Sequence, residues 1–275
     1  MRARYVLEGG VLVKVKGNRR TSVGLVTSAA EELLVTYAAA VTAAGGTLST
    51  STRAALLTYL EAVAALPTPI MHFPWVTDTL ASAMLPLEGL GTYSLVNTNF
   101  VSGDYAEPDG VSAIGKSGAY FNTAQTLSTS GPLSFGIWHR SSAVTPTGVH
   151  LWGIRGSSDA NSVRWRAAGG TADLIWKPGG ASITESNSTY YSGSNSGAAT
   201  GVSTYYKDGV LQGSSTTPTT AQTEGVYLFG HPATAPAVAQ VQACSCLAWN
   251  VVLTAAEHLA FHNALRTLQN NLTRG

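Results

Sequence analysis

Residues 204–211, with the sequence TYYKDGVL, indicate two antiparallel strands joined by a tight turn. Two tyrosines lead into the Asp208-Gly209 pair, and two aliphatic residues follow it. An Asp-Gly pair between such residues is the strongest short-range hairpin signal, because a type I′ turn needs positive φ at both central positions. The stretch therefore predicts a β-hairpin in which Asp208 is a turn residue rather than a catalytic or metal-binding carboxylate.

The segments after this hairpin follow a recognisable order. Residues 226–230 (VYLFG) predict a strand ending in glycine, residues 243–250 predict a strand carrying a tryptophan, and residues 253–257 (LTAAE) open a helix. With the hairpin, this series resembles the closing half of concanavalin-like jelly rolls of the laminin-G type. The resemblance implies a mainly β protein, built as a concanavalin-like antiparallel β-sandwich (jelly roll) with lectin-like architecture. It implies no particular activity.

The first 88 residues have a different pattern. Short strands separated by turns between residues 4 and 27 predict a small β-meander. Ser28 and Glu31 form a capping box that opens an amphipathic helix, and a second helix starts near residues 49–51. Two such helices joined by a short loop form an antiparallel hairpin.

These patterns divide the chain into three parts. Residues 1–88 form an N-terminal attachment region of β-meander, helical hairpin and Pro-rich connector. Residues 89–253 form the lectin-like jelly roll, since short strands alternate there with Gly- and Ser-rich turns. Residues 254–275 form a C-terminal helix that packs on the jelly roll.

A second resemblance is carried by residues 99–105 (NFVSGDY), 110–118 (GVSAIGKSG) and 119–121 (AYF). This stretch resembles lectin-like proteins of tailed phages and prophages, in which a helical N-terminal part precedes the jelly roll. The resemblance implies a virion protein that is made in the host cytoplasm. It also implies contacts with other virion proteins and a homo-oligomeric state.

The composition argues against several partner classes. Charged residues make up 11% of the chain and its net charge is +1, whereas soluble domains usually have about 25% charged residues. Such a chain has no general attraction to nucleic acid or to anionic membranes. Its apolar helical stretches are shorter than the ~20 residues that cross a bilayer. The two cysteines, Cys244 and Cys246, alternate with Ser245 and are interpreted as small core residues.

The motifs that carry chemistry are weak. Residues 110–117 match the letters of a phosphate loop, but the flanking residues predict a turn and a strand instead of a strand and a helix. Residues 193–197 (GSNSG) have asparagine where a serine hydrolase has its nucleophile. No run of paired carboxylates of the glycosidase type is present, and His258 and His262 have no evident third partner for a metal. We therefore predict no enzyme activity, no catalytic residue, no metal and no cofactor.

Aromatic and polar side chains in loops are the remaining candidates for binding. A sugar stacks its C–H face on an aromatic ring and bonds its hydroxyls to nearby polar groups. Tyr190 and Tyr191 lie in the Ser/Gly/Asn-rich stretch 185–201, which predicts an exposed, variable loop. Arg164 and Arg166 flank Trp165, and this alternation predicts that both arginines point outward. These four residues are the predicted glycan contacts.

Together these observations predict a non-enzymatic structural protein of a bacteriophage virion. It would be a tail, baseplate or fibre-type surface component with host-glycan binding. Two alternatives stay open: a capsid decoration protein on the head with a purely structural jelly roll and, with less support, a glycan-cleaving enzyme of the laminarinase type.

Overall fold

The structure is a computed structural model. It describes residues 4–8, 11–16, 19–22, 28–107, 109–112, 118–128, 130–140, 150–154, 162–165, 171–176, 179–184, 189–197, 201–216, 223–229 and 242–273. The strands between residues 4 and 22 and between 162 and 184 are described by their backbone alone. The helices are α1 (Ala29–Ala43), α2 (Thr50–Val63), α3 (Leu80–Ala83) and α4 (Ala255–Asn271).

The strands of the described residues form three sheets. In chain order they are β1 (Arg4–Glu8), β2 (Val11–Lys16), β3 (Arg19–Ser22), β4 (Met71–Phe73), β5 (Leu95–Thr98), β6 (Tyr105–Ala106), β7 (Gly110–Ser112), β8 (Tyr120–Ser128), β9 (Leu133–His139), β10 (His150–Ile154), β11 (Ser162–Trp165), β12 (Thr171–Trp176), β13 (Gly179–Thr184), β14 (Thr189–Asn195), β15 (Ser203–Lys207), β16 (Val210–Ser215), β17 (Thr223–Leu228) and β18 (Gln242–Trp249).

The predicted N-terminal meander is confirmed as a three-stranded antiparallel sheet in the order β1-β2-β3. Leu7 pairs with Leu12 across the first turn, and Lys16 pairs with Arg19 across the second. Glycines follow β1 and β2 in the sequence, as tight turns between strands require.

Two larger antiparallel sheets form the sandwich and confirm the predicted fold class. The seven-stranded sheet has the order β13-β12-β11-β10-β17-β8-β5. The eight-stranded sheet has the order β16-β15-β14-β9-β18-β7-β6, and β4 pairs with β18 beside β7. Between them lies a core with Phe73, Phe121, Phe135, Trp152 and Tyr191, all fully buried.

A helical layer covers the outer face of the eight-stranded sheet. Helices α1, α2 and α4 contribute residues such as Tyr37, Leu56 and Phe261 to a second core against that face. The sheet contributes Trp138 and Trp249, which are buried there. The C-terminal helix therefore packs on this face of the sandwich. None of the described helices is long and apolar enough to span a membrane.

The hairpin predicted from residues 204–211 is confirmed. Asp208 and Gly209 connect β15 to β16 with φ values of 52° and 76°, as a type I′ turn requires. The Asp208 carboxylate accepts a hydrogen bond from the Tyr190 amide at 3.0 Å. The turn packs closely on α4, because a Cβ built on Gly209 would lie 2.7 Å from Leu259 Cα.

The predicted helix starts are also confirmed. The Glu31 amide donates to Ser28 Oγ at 3.2 Å, and the Ser28 amide donates to Glu31 Oε2 at 2.8 Å. Thr254 and Glu257 form the same reciprocal pair at the start of α4. These bonds satisfy amides that have no partner inside the helix.

Two sequence regions are used differently from the prediction. The Pro-rich connector contributes β4 and buried core residues, among them Met71 and Trp75, to the sandwich. Residues 110–112 of the phosphate-loop pattern form β7, and residues 113–117 lie outside the described part of the chain. The division at residue 88 stays a prediction, although the connector before it is integral to the eight-stranded sheet.

Candidate functional site: a tyrosine face on the seven-stranded sheet

Two tyrosines stand side by side on the outer face of the seven-stranded sheet. Along β8 and β17, Phe121, Val226 and Leu228 point into the core and are fully buried. Tyr120 and Tyr227 alternate with these residues and therefore point outward. Both are half-buried, and their ring centroids lie 6.1 Å apart with the planes tilted by 53°.

Small and neutral side chains surround this pair. Asn122 pairs with Tyr227 across β8 and β17, and on its other side it pairs with Val96 of β5, which is 47% exposed. Thr98 pairs with Tyr120 in the same way. We call Val96, Thr98, Tyr120, Asn122 and Tyr227 the tyrosine face. It combines ring surface, an amide and a hydroxyl, and it carries no formal charge.

The flank toward β10 is shaped by a glycine. Gly153 pairs with Tyr227 and has a φ of +135°, a backbone conformation that favours glycine. Gly153 therefore adds no side chain to the sheet beside Tyr227. The tyrosine face thus offers two aromatic platforms with hydrogen-bonding groups between them.

Tyr190 and Tyr191 do not form an exposed loop, so this part of the prediction is wrong. Both belong to β14, which pairs with β9 and β15, and both are fully buried. Tyr191 lies in the core between the sheets. Tyr190 lies under the helical layer near Trp138, at a ring distance of 6.4 Å, and burial raises its pKa.

The two predicted arginines are only partly described. Arg164 is in β11, where its backbone pairs with His150 and Asp173, but its side chain lies outside the described part of the structure. Arg166 lies wholly outside it. Their role in glycan binding stays a prediction.

Sequence reasoning missed Tyr120 and the pairing of its ring with Tyr227. The signal was present, because AYFN at 119–122 and VYLF at 226–229 alternate a tyrosine with core residues. The alternation alone does not say which face of a sandwich is covered by other elements. That information depends on helices far away in the sequence.

His258 and His262 are internal rather than surface residues of α4. His258 is fully buried, its Nδ1 is 2.9 Å from Ser192 Oγ and its Nε2 is 2.9 Å from Ser194 Oγ. Its ring stacks on Tyr206 at 4.0 Å, and burial lowers its pKa to about 3. Burial also lowers the pKa of His262, against the charge of Asp208 3.6 Å away. In the described residues no group of three potential ligands could hold a metal.

One buried cluster has the composition of a hydrolytic triad. His72 Nε2 is 2.8 Å from Ser245 Oγ, and His72 Nδ1 is 2.9 Å from Glu88 Oε2. Ser245 is fully buried, whereas a nucleophile must reach its substrate. The cluster instead fixes β4 and residue 88 to β18, because each of these three side chains finds its partner inside the protein.

Comparisons with known proteins identify the architecture. The chain matches no protein-family model and no curated sequence. A solved structure of a Trypanosoma rangeli sialidase mutant displaying trans-sialidase activity matches 97% of the chain at 8% identity with a TM-score of 0.55. The ligand binding domain of botulinum neurotoxin serotype D, solved with N-acetylneuraminic acid, matches 74% at 11% identity with a TM-score of 0.52.

These likenesses show the fold. The match covers 44% of the sialidase chain and 52% of the toxin domain, so the protein spans about half of each. At such low identity the similarity supports the β-sandwich and carries over no residue role.

Proposed function

We propose that this chain is a non-enzymatic structural component of a tailed-bacteriophage virion that binds a surface glycan through its tyrosine face. The single observation that carries the binding proposal is the half-buried pair Tyr120 and Tyr227, 6.1 Å apart on a sheet face. The partly exposed rings offer apolar surface on which the C–H face of a sugar can stack. Asn122 between them supplies both a donor and an acceptor for sugar hydroxyls.

The two known structures are consistent with this proposal. One toxin domain of the same fold was solved with a bound sialic acid, and the other match is a sialidase. The matched parts are about half of each chain, so these structures support the glycan proposal at the level of the fold. The virion part of the proposal is supported by the resemblance of residues 99–121 to lectin-like phage proteins, and a tail, baseplate or fibre component is the proposed location, with a capsid decoration protein as the alternative.

The difference between the two outer faces also supports the proposal that the sandwich is a binding module. Helices α1, α2 and α4 occupy the outer face of the eight-stranded sheet, so that face is committed to internal packing. The tyrosine face has neutral side chains, and the serine and histidine of the hydrolytic-type cluster are fully buried beneath the helices on the other sheet. This arrangement favours binding without cleavage.

A glycan array probed with the full chain tests the binding proposal. We expect one group of related glycans to bind, and we expect Tyr120→Ala and Tyr227→Ala each to weaken binding by about tenfold or more, corresponding to ~1.4 kcal/mol. Gln125→Ala is the matched control, since Gln125 is exposed on the same strand. Binding that survives both tyrosine variants would place the site elsewhere, and an array without any ligand would reduce the sandwich to a structural module.

Immuno-electron microscopy of intact particles tests the virion proposal separately. Label at the tail or baseplate is the expected result, and label over the head would indicate a decoration protein. Absence of the protein from purified particles would refute the virion role whatever the array shows. Release of sugar from host polysaccharide by the purified chain would favour the enzymatic alternative.

A further inference from the structure

A cleft lies at the open end of the hairpin formed by α1 and α2. It is on the helix-covered side of the eight-stranded sheet, away from the core between the two sheets. The cleft has a volume of about 170 Å³, roughly the space of five or six water molecules. Its walls come from the first turns of α1, the end of α2 and the segment that follows. They include Ala30, Leu33, Leu60, Val63 and Pro69, with Glu88 as the charged residue of the lining.

Glu88 is a buried acid with half of its carboxylate engaged. Its side chain is 5% exposed, and Oε2 lies 2.9 Å from His72 Nδ1. When Nδ1 carries the proton and donates it to Glu88, Nε2 accepts from the Ser245 hydroxyl at 2.8 Å. Among the described residues none bonds the second oxygen, Oε1. Glu88 therefore presents a carboxylate oxygen to a cleft whose other described walls are uncharged.

A neighbouring hydroxyl adds polar capacity to this region. Tyr59 is 1% exposed, and its ring lies 5.1 Å from the His72 ring. Its hydroxyl is buried and has no hydrogen-bond partner in the described part of the chain. Burial, followed by the charge of Glu88, raises the pKa of Tyr59, so the hydroxyl keeps its proton. Buried polar groups are normally paired, which makes this tyrosine unusual.

The carboxylate and the apolar walls of the cleft favour a ligand that carries a cation on an apolar chain. A buried carboxylate is costly unless an opposite charge or several donors compensate it. An ammonium group has three donors and suits a single carboxylate oxygen, while a straight alkyl chain fits between alanine, leucine and valine walls. A neutral ligand would bring no opposite charge to Oε1, and an anion would be repelled by the carboxylate.

We propose that this cleft binds an ammonium group carried on an unbranched alkyl chain, with Glu88 as its anionic partner. The ammonium meets Oε1, and the alkyl chain lies along Leu33, Leu60 and Val63. The site is separate from the tyrosine face, which belongs to the other sheet. A lysine side chain of a neighbouring protein and a free small amine share this chemistry.

Titration of the full chain with n-butylammonium, followed by amide chemical shifts in NMR, tests the proposal. We expect saturable shifts confined to residues of the cleft, and binding about tenfold weaker for n-butanol, which has the same chain without the charge. Nα-acetyl-lysine methylamide distinguishes the sources. Binding of this compound indicates a protein side chain as the natural occupant, and binding of butylammonium alone indicates a free amine.

Two variants and one control complete the test. Glu88→Gln removes the charge, Ala30→Leu fills the cleft without changing Glu88, and Glu61→Gln alters an exposed acid on α2. The first two should abolish saturable binding and the third should leave it unchanged. If Glu88→Gln does not fold, the binding of butylammonium by Ala30→Leu and the comparison with butanol still test the proposal. Equal binding of butanol and butylammonium, unchanged binding by Ala30→Leu, or no saturation would overturn the proposal.

Discussion

The two outer faces of the sandwich both carry aromatic residues, but these residues differ in how far they are buried. On the eight-stranded sheet, Trp138, Tyr190 and Trp249 lie beneath helices and are almost completely buried. On the seven-stranded sheet, Tyr120 and Tyr227 are half-buried beside an exposed valine. Outward-facing aromatics therefore do not identify a binding site by themselves. What covers each face determines whether its rings act as core or as binding surface.

The covered face also explains how polar side chains are tolerated in a core. His258 lies between two serine hydroxyls, and His72 lies between Glu88 and Ser245. These bonds replace the water that the side chains lose on burial. The histidines consequently hold the helices and the connector on the sheet, and the protonation of His258 is coupled to stability because burial lowers its pKa.

The largest effect is expected from Trp249→Ala on the covered face. Trp249 is fully buried, its ring lies 4.7 Å from that of Phe261, and its Nε1 donates to the Pro67 carbonyl at 3.0 Å. Removing such a side chain costs about 3–5 kcal/mol of the free energy of unfolding. Urea denaturation should show this loss, and a loss below about 1 kcal/mol would mean that the helices do not form part of the core.

The next largest effect is expected from acid, which should lower the free energy of unfolding through His258 on the covered face. Burial lowers the pKa of His258 from 6.5 to about 3. Between these two pH values the unfolded state binds a proton at this residue, whereas the folded state does not. The stabilisation is complete above pH 6.5 and is lost as the pH falls toward 3, by up to about 1.4 kcal/mol per pH unit.

Urea midpoints measured from pH 7 to pH 4 test this dependence. His258→Gln removes the titrating group and should flatten the profile in this range, although its stability at pH 7 is lower. A variant whose profile matches that of the natural chain would show that other groups cause the acid sensitivity.

A smaller effect is expected where Tyr190 crosses β9. A Cβ built on Gly136 would lie 2.2 Å from the Tyr190 hydroxyl and within 2.9 Å of its ring. Gly136→Ala should therefore displace the ring and cost about 1–3 kcal/mol. Gly131→Ala is the control, because nothing lies within 4 Å of its added Cβ. Equal thermal stability of the two variants would show that Tyr190 can move without loss of packing.

The smallest stability effect is expected from Tyr227→Ala on the tyrosine face. The ring is half-buried and lies 6.1 Å from the ring of Tyr120, so its loss should cost about 1 kcal/mol or less in urea unfolding. The same variant should lose glycan binding. A cost as large as that of Trp249→Ala would indicate that the tyrosine face is core rather than binding surface.

The fold was predictable wherever a local signal governs the backbone. The turn at Asp208 and Gly209 and the capping boxes at Ser28 and Thr254 have short-range causes, namely positive φ and unpaired amides. The strand β14 was not predictable in this way. Its Ser, Gly and Asn residues favour loops locally, but pairing with β9 and β15 and packing against His258 override that preference.

The tyrosine face was harder to predict from the sequence, because it also depends on contacts between distant segments. A tyrosine that alternates with core residues is outward-facing in any sandwich, but whether it meets solvent or a helix depends on segments far away in the chain. Helices near residues 29–63 and 255–271 cover Tyr190 and leave Tyr227 half-buried. Both tyrosines lie on the outer face of their sheet, and the tertiary arrangement determines that one is covered and the other is half-buried.

The position of β18 has a consequence for synthesis of the protein. This strand is the last in the sequence, but it lies inside the eight-stranded sheet, where it pairs with β9 on one side and with β4 and β7 on the other. Leu247 meets His72 there. Residues 1–241 leave the ribosome before β18 does, so the strands on both sides of its position wait with an unfilled gap between them. Chaperones that shield this gap would raise the yield of the folded protein.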